Sequence, residues 1–199
     1  FSIDSHFISA KILFPKYGDG GQRIARYSRN TEFWRYNYYE NLDYIFVHTP
    51  ESDKLEESDM EKKKRKKKLF VETQDIFNQN RPLVIAPEGT SETEDNITEN
   101  SPGPFKPGAF LLASQLKQEP LLIPIALANF DHSISNTIYS AVIKEPIKIN
   151  DYVKDIKNKK ELEKFLIDYR IKFRSYVEEA IELAKNIYND NNELNNVET

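Results

Sequence analysis

The chain predicts an α/β fold: a largely parallel sheet flanked by helices, closed by a long C-terminal amphipathic helix. Three observations lead there. Short apolar, β-rich runs recur at residues 44–47, 83–86 and 121–127, each of a length suited to a buried strand. Segments of helical character at 58–79 and 108–116 lie between them, and strands alternating with helices favour parallel pairing. Residues 161–188 then place Leu162, Phe165, Leu166, Tyr169, Phe173, Val177, Ile181 and Ala184 on one side of a helix.

Residues 7–14 are apolar around Lys11 and predict a helix that Pro15 stops. Tyr17-Gly18-Asp19-Gly20-Gly21 predicts a loop rich in turns. Its adjacent glycines, with no strand before them, do not make a dinucleotide-binding fingerprint. From Arg26 to Tyr39, basic residues interleave with Phe33, Trp34, Tyr36, Tyr38 and Tyr39. Such interleaving can form a single-strand nucleic-acid platform, but at the chain's net charge a half-buried helix or loop face is the better reading. The run 44–47 reads as a buried strand ended by Thr49-Pro50.

The helix at 58–79 carries seven consecutive cations: Lys62, Lys63, Lys64, Arg65, Lys66, Lys67 and Lys68. At about 100° per residue they encircle the helix, so its first part projects into solvent or into a lipid headgroup layer. A solvated extension is the plain reading, and attraction to an anionic membrane surface is the functional one. Residues 83–86 form a second strand that runs into Pro87-Glu88-Gly89-Thr90, and 91–101 is a polar, acidic loop. A helix at 108–116, a third strand at 121–127 containing Pro124, and a fourth strand within 140–149 follow. Residues 1–188 are expected to form a single domain, and the Asn-rich, acidic stretch 189–199 a disordered tail.

Composition narrows the function. A chain of 199 residues can bury a real core, and 39% hydrophobic with 30% charged residues is globular. A net charge of −4 leaves no chain-wide nucleic-acid footprint. The chain contains no cysteine, which removes disulfides, thiolate zinc sites and thiol nucleophiles and fits an intracellular setting. His6, His48 and His132 are the three histidines, and none stands at metal-site spacing from another, so no metal is expected. No stretch of eighteen apolar residues occurs.

Glu88 ends a strand within a turn. Gly89 permits positive φ there, and Thr90 adds a hydroxyl. A carboxylate so placed can hold a hydroxyl-bearing substrate by charge-assisted hydrogen bonds; it can equally cap the next segment. Gly103 and Gly108 span a GxxxxG pattern, but Ala109-Phe110 follows rather than Lys-Ser/Thr, so this is no phosphate-cradling P-loop. A glycine turn letting the next helix start close to the site is the alternative, with Lys106 the nearest cation.

In order, Ala86-Pro87-Glu88-Gly89-Thr90, Phe105-Lys106-Pro107-Gly108-Ala109-Phe110-Leu111-Leu112-Ala113 and Leu122-Ile123-Pro124-Ile125-Ala126 resemble the glycerolipid acyltransferase family, which includes the 1-acylglycerol-3-phosphate O-acyltransferases. The resemblance covers residues 1–130 and is densest over 83–127. It implies a glycerol-3-phosphate acyltransferase-like fold and a peripheral enzyme at the membrane surface. Such an enzyme moves a fatty acyl chain from acyl-CoA or acyl carrier protein to a lyso-glycerolipid hydroxyl, with no cofactor beyond that co-substrate. Glu88, Gly89, Thr90 and Ser91 then line the acceptor site, and Lys106, Gly108 and Pro124 contribute to it.

The family's catalytic pair is a His, four residues, then an Asp: the His removes the hydroxyl proton and the Asp orients it. The spacing occurs at His48-Thr49-Pro50-Glu51-Ser52-Asp53, but only 40 positions before Glu88, where a surface turn is the better reading. Asp4, 84 positions before Glu88, fits better. Its partner would stand two positions ahead of Phe1, so the chain reads as truncated within that motif and inactive by itself. His6, two residues from Asp4, does not fit the pair and reads as a surface histidine. Ser91-Glu92 and Thr49 stand where the family often has arginines that bind the acceptor phosphate. Lys106, Arg26 and Arg29 are the cations available to compensate, and acceptors other than lysophosphatidate are in view. A catalytically silent relative that binds lipid or a partner at the membrane is the other reading.

Overall fold

The computed structural model describes residues 3–26, 41, 44–47, 58–89, 102–130 and 137–197. They fall into two compact units. One comprises Ser5–Gly89 with Leu116–Gln118; the other comprises Thr90–Gln115 and Glu119–Thr199, together with Phe1–Asp4.

The first unit is built on a three-stranded parallel sheet. The chain enters through a helical run: α1 (Ile3–Phe7), a π-helical turn (Ile8–Leu13) and α2 (Phe14–Tyr17). Pro15 does not stop this run. The turn before it is widened, with the Phe14 N–H donating to the Ser9 carbonyl, and a π turn of this kind accommodates the N–H that proline lacks. The run ends instead at Gly18, which adopts φ 68° and donates to the Phe14 carbonyl.

Strand β1 (Gln22–Arg26) follows, and it is the middle of the sheet. Strand β2 (Ile45–Val47) pairs parallel on one side, with Ile24 opposite Ile45 and Arg26 opposite Val47. On the other side, β3 (Leu83–Val84) sets Gln22 opposite Leu83 and Arg23 opposite Val84. The sequence reading did not anticipate β1. With two arginines and a glutamine in five residues, it lacks the apolar run expected of a buried central strand. Between β2 and β3 lies α3 (Asp59–Asn78), within the span expected. Ser58 and Glu61 form a reciprocal capping box at its start, and Thr73 and Ile76 are buried where its second half packs on β2.

In the second unit, α4 (Gly108–Gln115) and the long helix α5 (Lys159–Val197) share a core. That core is Phe105, Phe110, Ile149, Val153, Leu162, Phe165 and Leu166. Phe110 meets Phe165 edge-on at 5.7 Å, and Phe105 meets Phe173 edge-on at 5.5 Å, geometries that aromatic quadrupoles favour. Ile149 opens a 3-10 turn (Ile149–Asp151) and is fully buried.

Strands β4 (Ile125–Ala128) and β5 (Ser140–Ile143) pair with each other, antiparallel, and lie on α5. This corrects the expectation of a largely parallel sheet: the third and fourth strands form their own two-stranded sheet. Eleven residues, 129–139, separate them, close to the dozen or so that a parallel return needs, so the length of the link does not decide the pairing. The fully buried Ala180 of α5 packs against Ala128 and Val142, and its carbonyl accepts from Ser140 Oγ at 2.5 Å. Helix α5 continues past Tyr188, where the sequence reading ended it, to Val197.

Candidate active site

Parallel strands offer ligands their carboxyl ends, and the register of the first unit specifies what is delivered there. β1 ends at Arg26 and β2 at Val47, which face each other. Val84 of β3 lies opposite Arg23, so at about 3.3 Å per residue the chain leaving β3 rises through Ile85 and Ala86 towards the level of Arg26. There it turns. The Gly89 N–H donates to the Ala86 carbonyl at 3.0 Å, closing a four-residue turn with Pro87 and Glu88 at its centre. Pro87 supplies the fixed φ that the second position of such a turn favours. Gly89 adopts φ 70°, a conformation costly for any residue with a Cβ. Glu88 is half-buried on this turn.

The amino-terminal side of the same sheet is tied down. Asp19 accepts from Arg81 Nε at 2.6 Å and from the Gly21 N–H at 2.8 Å. The Arg81 hydrogen bond, then that of Gly21 and the guanidinium charge, hold the Asp19 carboxyl below its ordinary range, while burial works slightly the other way. The Gln22 N–H donates to the Pro82 carbonyl at 2.9 Å. Arg23, 9% exposed, donates from Nη2 to Ser9 Oγ at 2.6 Å, and Ser9 Oγ donates to the Gly20 carbonyl at 2.6 Å. The Arg23 guanidinium also lies over the Tyr44 ring at 5.8 Å. The strand that leads to Glu88 is thus anchored at its entrance by groups from the glycine loop and the N-terminal helical run.

The other expected site residues fall as follows. Lys106 is exposed between two residues with different work: Phe105 is core, and Pro107 offers its carbonyl to the Leu111 N–H at 2.9 Å as α4 begins. Gly108 is the first residue of α4. A Cβ built on it meets nothing within 4 Å, so among the described residues no close protein contact requires this glycine. Pro124 is buried just before β4, and its carbonyl accepts from the Lys144 N–H at 3.0 Å. It therefore ends the regular ladder, which resumes as a single bridge between Leu122 and Ile147.

Asp4 is half-buried in the first turn of α1, where a carboxylate is favoured by the helix dipole. His6 is exposed, as its sequence reading held. Glu88 and Gly89 share one turn of the first unit, while Asp4, Lys106, Gly108 and Pro124 belong to the second. Thr90, Ser91, Arg29 and the His48 to Asp53 pairing lie outside the described residues. Among the described residues no cluster of His, Cys, Asp or Glu could hold a metal ion, and no helix is long and apolar enough to cross a membrane.

Sequence reasoning missed β1 as the strand between β2 and Glu88's strand, and with it the position of Arg26 at the carboxyl edge. The available signal was the alternation of Gln22, Ile24 and Arg26 with Arg23 and Ala25 just after a Gly-Gly turn.

A comparison with curated proteins returns no match. A family model described as Acyltransferase matches residues 28–128, just over half of the 199. The matched span contains Glu88 and its turn, the Phe105 to Phe110 block and Pro124, and also His48 and Asp53, but not Asp4. The chain belongs to the acyltransferase family.

Proposed function

We propose that the protein is an O-acyltransferase of phospholipid synthesis or remodelling. It moves a fatty acyl group from acyl-CoA or acyl carrier protein to the free hydroxyl of a lyso-glycerolipid, 1-acylglycerol-3-phosphate or a related acceptor. The observation that supports this most is the match to the acyltransferase family over a span whose Glu88 stands on a defined turn at the carboxyl end of a parallel sheet.

In this reading Glu88 holds the acceptor by a charge-assisted hydrogen bond to a glycerol hydroxyl, and Gly89, Thr90 and Ser91 contribute to binding it. Arg26, whose strand ends beside the one leading to Glu88, Arg29 and Lys106 are the cations this reading has available for the acceptor's anionic headgroup, the role left open by Ser91-Glu92 and Thr49. A histidine base takes the hydroxyl proton, and Asp4 orients that base. The freed alkoxide attacks the thioester carbonyl, and the oxyanion collapses with loss of the thiolate, which takes the proton back from the imidazolium. No acyl-enzyme forms, in keeping with a chain that has no cysteine.

The test is acyl transfer by the protein, with radiolabelled acyl-CoA and acyl carrier protein as donors and a panel of lyso-glycerolipids as acceptors. Glu88→Ala is expected to lower kcat/KM by about 100-fold, the scale of losing one charged contact to the reacting substrate. Arg26→Ala is expected to weaken phosphate-bearing acceptors more than neutral ones. Transfer that survives Glu88→Ala would refute the role of Glu88. Absence of transfer from both donors to every acceptor would favour a catalytically silent lipid-binding relative.

A further inference from the structure

Helix α3 has two unlike halves. In the second, Thr73 and Ile76 are buried. In the first, every residue from Asp59 to Lys68 is exposed except the half-buried Arg65. Along the helix, Lys62, Lys66, Leu69, Thr73 and Ile76 follow one stripe at spacings of four and three, and that stripe ends in the residues buried against the sheet. Met60, Lys64, Lys67 and Val71 follow the opposite stripe. Met60 is 79% and Val71 47% exposed, with Lys63 and Lys68 beside them by the helix's turn of about 100° per residue. The outward face is therefore four lysines between two exposed apolar side chains.

This half of the helix is also under electrostatic load. Lys62/Lys66, Lys63/Lys67 and Lys64/Lys68 are like charges one turn apart, which disfavour a helix. They lie near its N-terminal end, where the dipole is already positive. Asp59, the Ser58–Glu61 capping box and a Lys68–Glu72 pair at 3.6 Å offset part of this. Of the chain's 28 Lys and Arg, these seven stand together, leaving 21 against 32 acidic residues, so the rest of the molecule is repelled by an anionic surface.

We propose that the outward face of α3, Met60, Lys63, Lys64, Lys67, Lys68 and Val71, seats the protein on an anionic lipid bilayer. The lysines pair with headgroup phosphates, their stems and the two apolar side chains enter the headgroup boundary, and the surface relieves the helix's internal repulsion. The choice of a bilayer rests on the proposed lipid acceptor and on the apolar residues that bracket the cations, which a nucleic acid would leave idle. Only the short segment from Gln79 to Pro82, with Arg81 fastened to Asp19, separates α3 from the strand leading to Glu88, so the bound helix tethers that strand to the membrane.

The experiment is vesicle flotation of the 199-residue chain on phosphatidylcholine vesicles with and without about one-third phosphatidylserine, in 0.1 M salt and with added salt. Binding is expected only to the anionic vesicles and is expected to fall steeply with salt. Each cation near the surface contributes about fivefold in affinity. Lys64→Gln/Lys67→Gln should thus weaken binding about 25-fold. Lys62→Gln/Lys66→Gln, with the same change in net charge on the opposite stripe, should weaken it less than about threefold, and Met60→Ser/Val71→Ser several-fold at unchanged charge. All six sites are exposed, and circular dichroism checks the folds.

Equal losses from the two lysine pairs would overturn the oriented face. Equal binding to neutral vesicles, or tighter binding to RNA or polyglutamate than to anionic vesicles at the same salt, would overturn the lipid assignment. Because binding is read without turnover, its failure is separate from failure of the acyl-transfer reading, which an acceptor presented below its micellar concentration tests by itself.

Discussion

Three glycines in the loop before β1 allow the cost of a backbone conformation to be separated from the cost of a contact. Gly18 adopts φ 68°, and a Cβ there meets nothing within 4 Å. Gly18→Ala therefore measures the left-handed conformation alone, about 1–2 kcal/mol. Gly20 has no unusual φ, and its Cβ would touch only Ser9, at 3.3 Å from Oγ; that hydroxyl is held between the Gly20 carbonyl and Arg23, so Gly20→Ala measures the disturbance of this contact, about 1 kcal/mol. Gly21 combines both burdens. Its φ is 74°, and a Cβ would stand 2.7 Å from Leu13 Cδ1 and 3.2 Å from the Pro82 carbonyl oxygen. Leu13 is buried and can move little, and the Pro82 carbonyl is backbone already engaged by the Gln22 N–H. Overpacking adds about 1–3 kcal/mol to the φ cost, so Gly21→Ala should lose about 2–5 kcal/mol in all.

For a chain of this size each kcal/mol moves the melting temperature by about 2–4 °C. Thermal melts rank the three variants, and hydrogen exchange at the Gln22 amide reads the β1–β3 junction locally. A Gly21→Ala variant no less stable than Gly18→Ala, with Gln22 still protected, would refute the close approach of β1 to Pro82.

Asp19, with its depressed carboxyl, stabilises the fold above its unfolded value of about 3.8, and that contribution is lost as pH falls through the lower folded value. The Asp19 and Arg81 side chains are 28% and 30% exposed, so Asp19→Asn should cost about 0.5–1 kcal/mol at pH 6. Its difference from the parent should shrink progressively in urea titrations as pH falls below about 3.8, and a difference that does not depend on pH there would contradict the charge-assisted pair. Phe110, 5% exposed and ringed by Phe105, Phe165 and Tyr169, should cost about 3–5 kcal/mol when cut to alanine. The exposed Lys106 nearby should cost within about 0.5 kcal/mol, and equal losses in urea midpoints would contradict the core position of Phe110.

What local sequence could show of the fold was largely visible. Helix α3 announces itself through Ser58 and Glu61 at capping-box spacing, and α4 and α5 through their apolar stripes, because those signals are complete within a few turns of chain. Pairing partners are not local. Nothing within 121–149 says that its two strands face each other rather than joining the strands before them; the pairing goes with Ala180, on a helix 40 residues away, which packs against both. β1 was hidden for another reason. A strand buried by Arg23, whose charge is met by Ser9 and the face of Tyr44, carries no apolar run to recognise.

The same distinction explains what the sequence reading made of the site. The turn that carries Glu88 was legible because an apolar run leading into Pro-Glu-Gly is a local pattern, and the turn's hydrogen bond from Gly89 to Ala86 uses the proline and glycine that flank Glu88. The Phe105 to Phe110 block was legible as a motif but not as a division of labour. Its two phenylalanines are core, fastening α4 to α5, while its lysine is exposed and its Gly108 meets no crowding. Arg26 is the converse. It belongs to no motif, and its place beside the strand that leads to Glu88 exists only through the parallel register. A cation that answers an acceptor's charge can therefore come from any strand ending at the same edge. On the proposed acyl-transfer reading, the absence of arginine after Glu88-Gly89-Thr90 then leaves phosphate-bearing acceptors open, because charge at an edge could serve where a residue at one position does not.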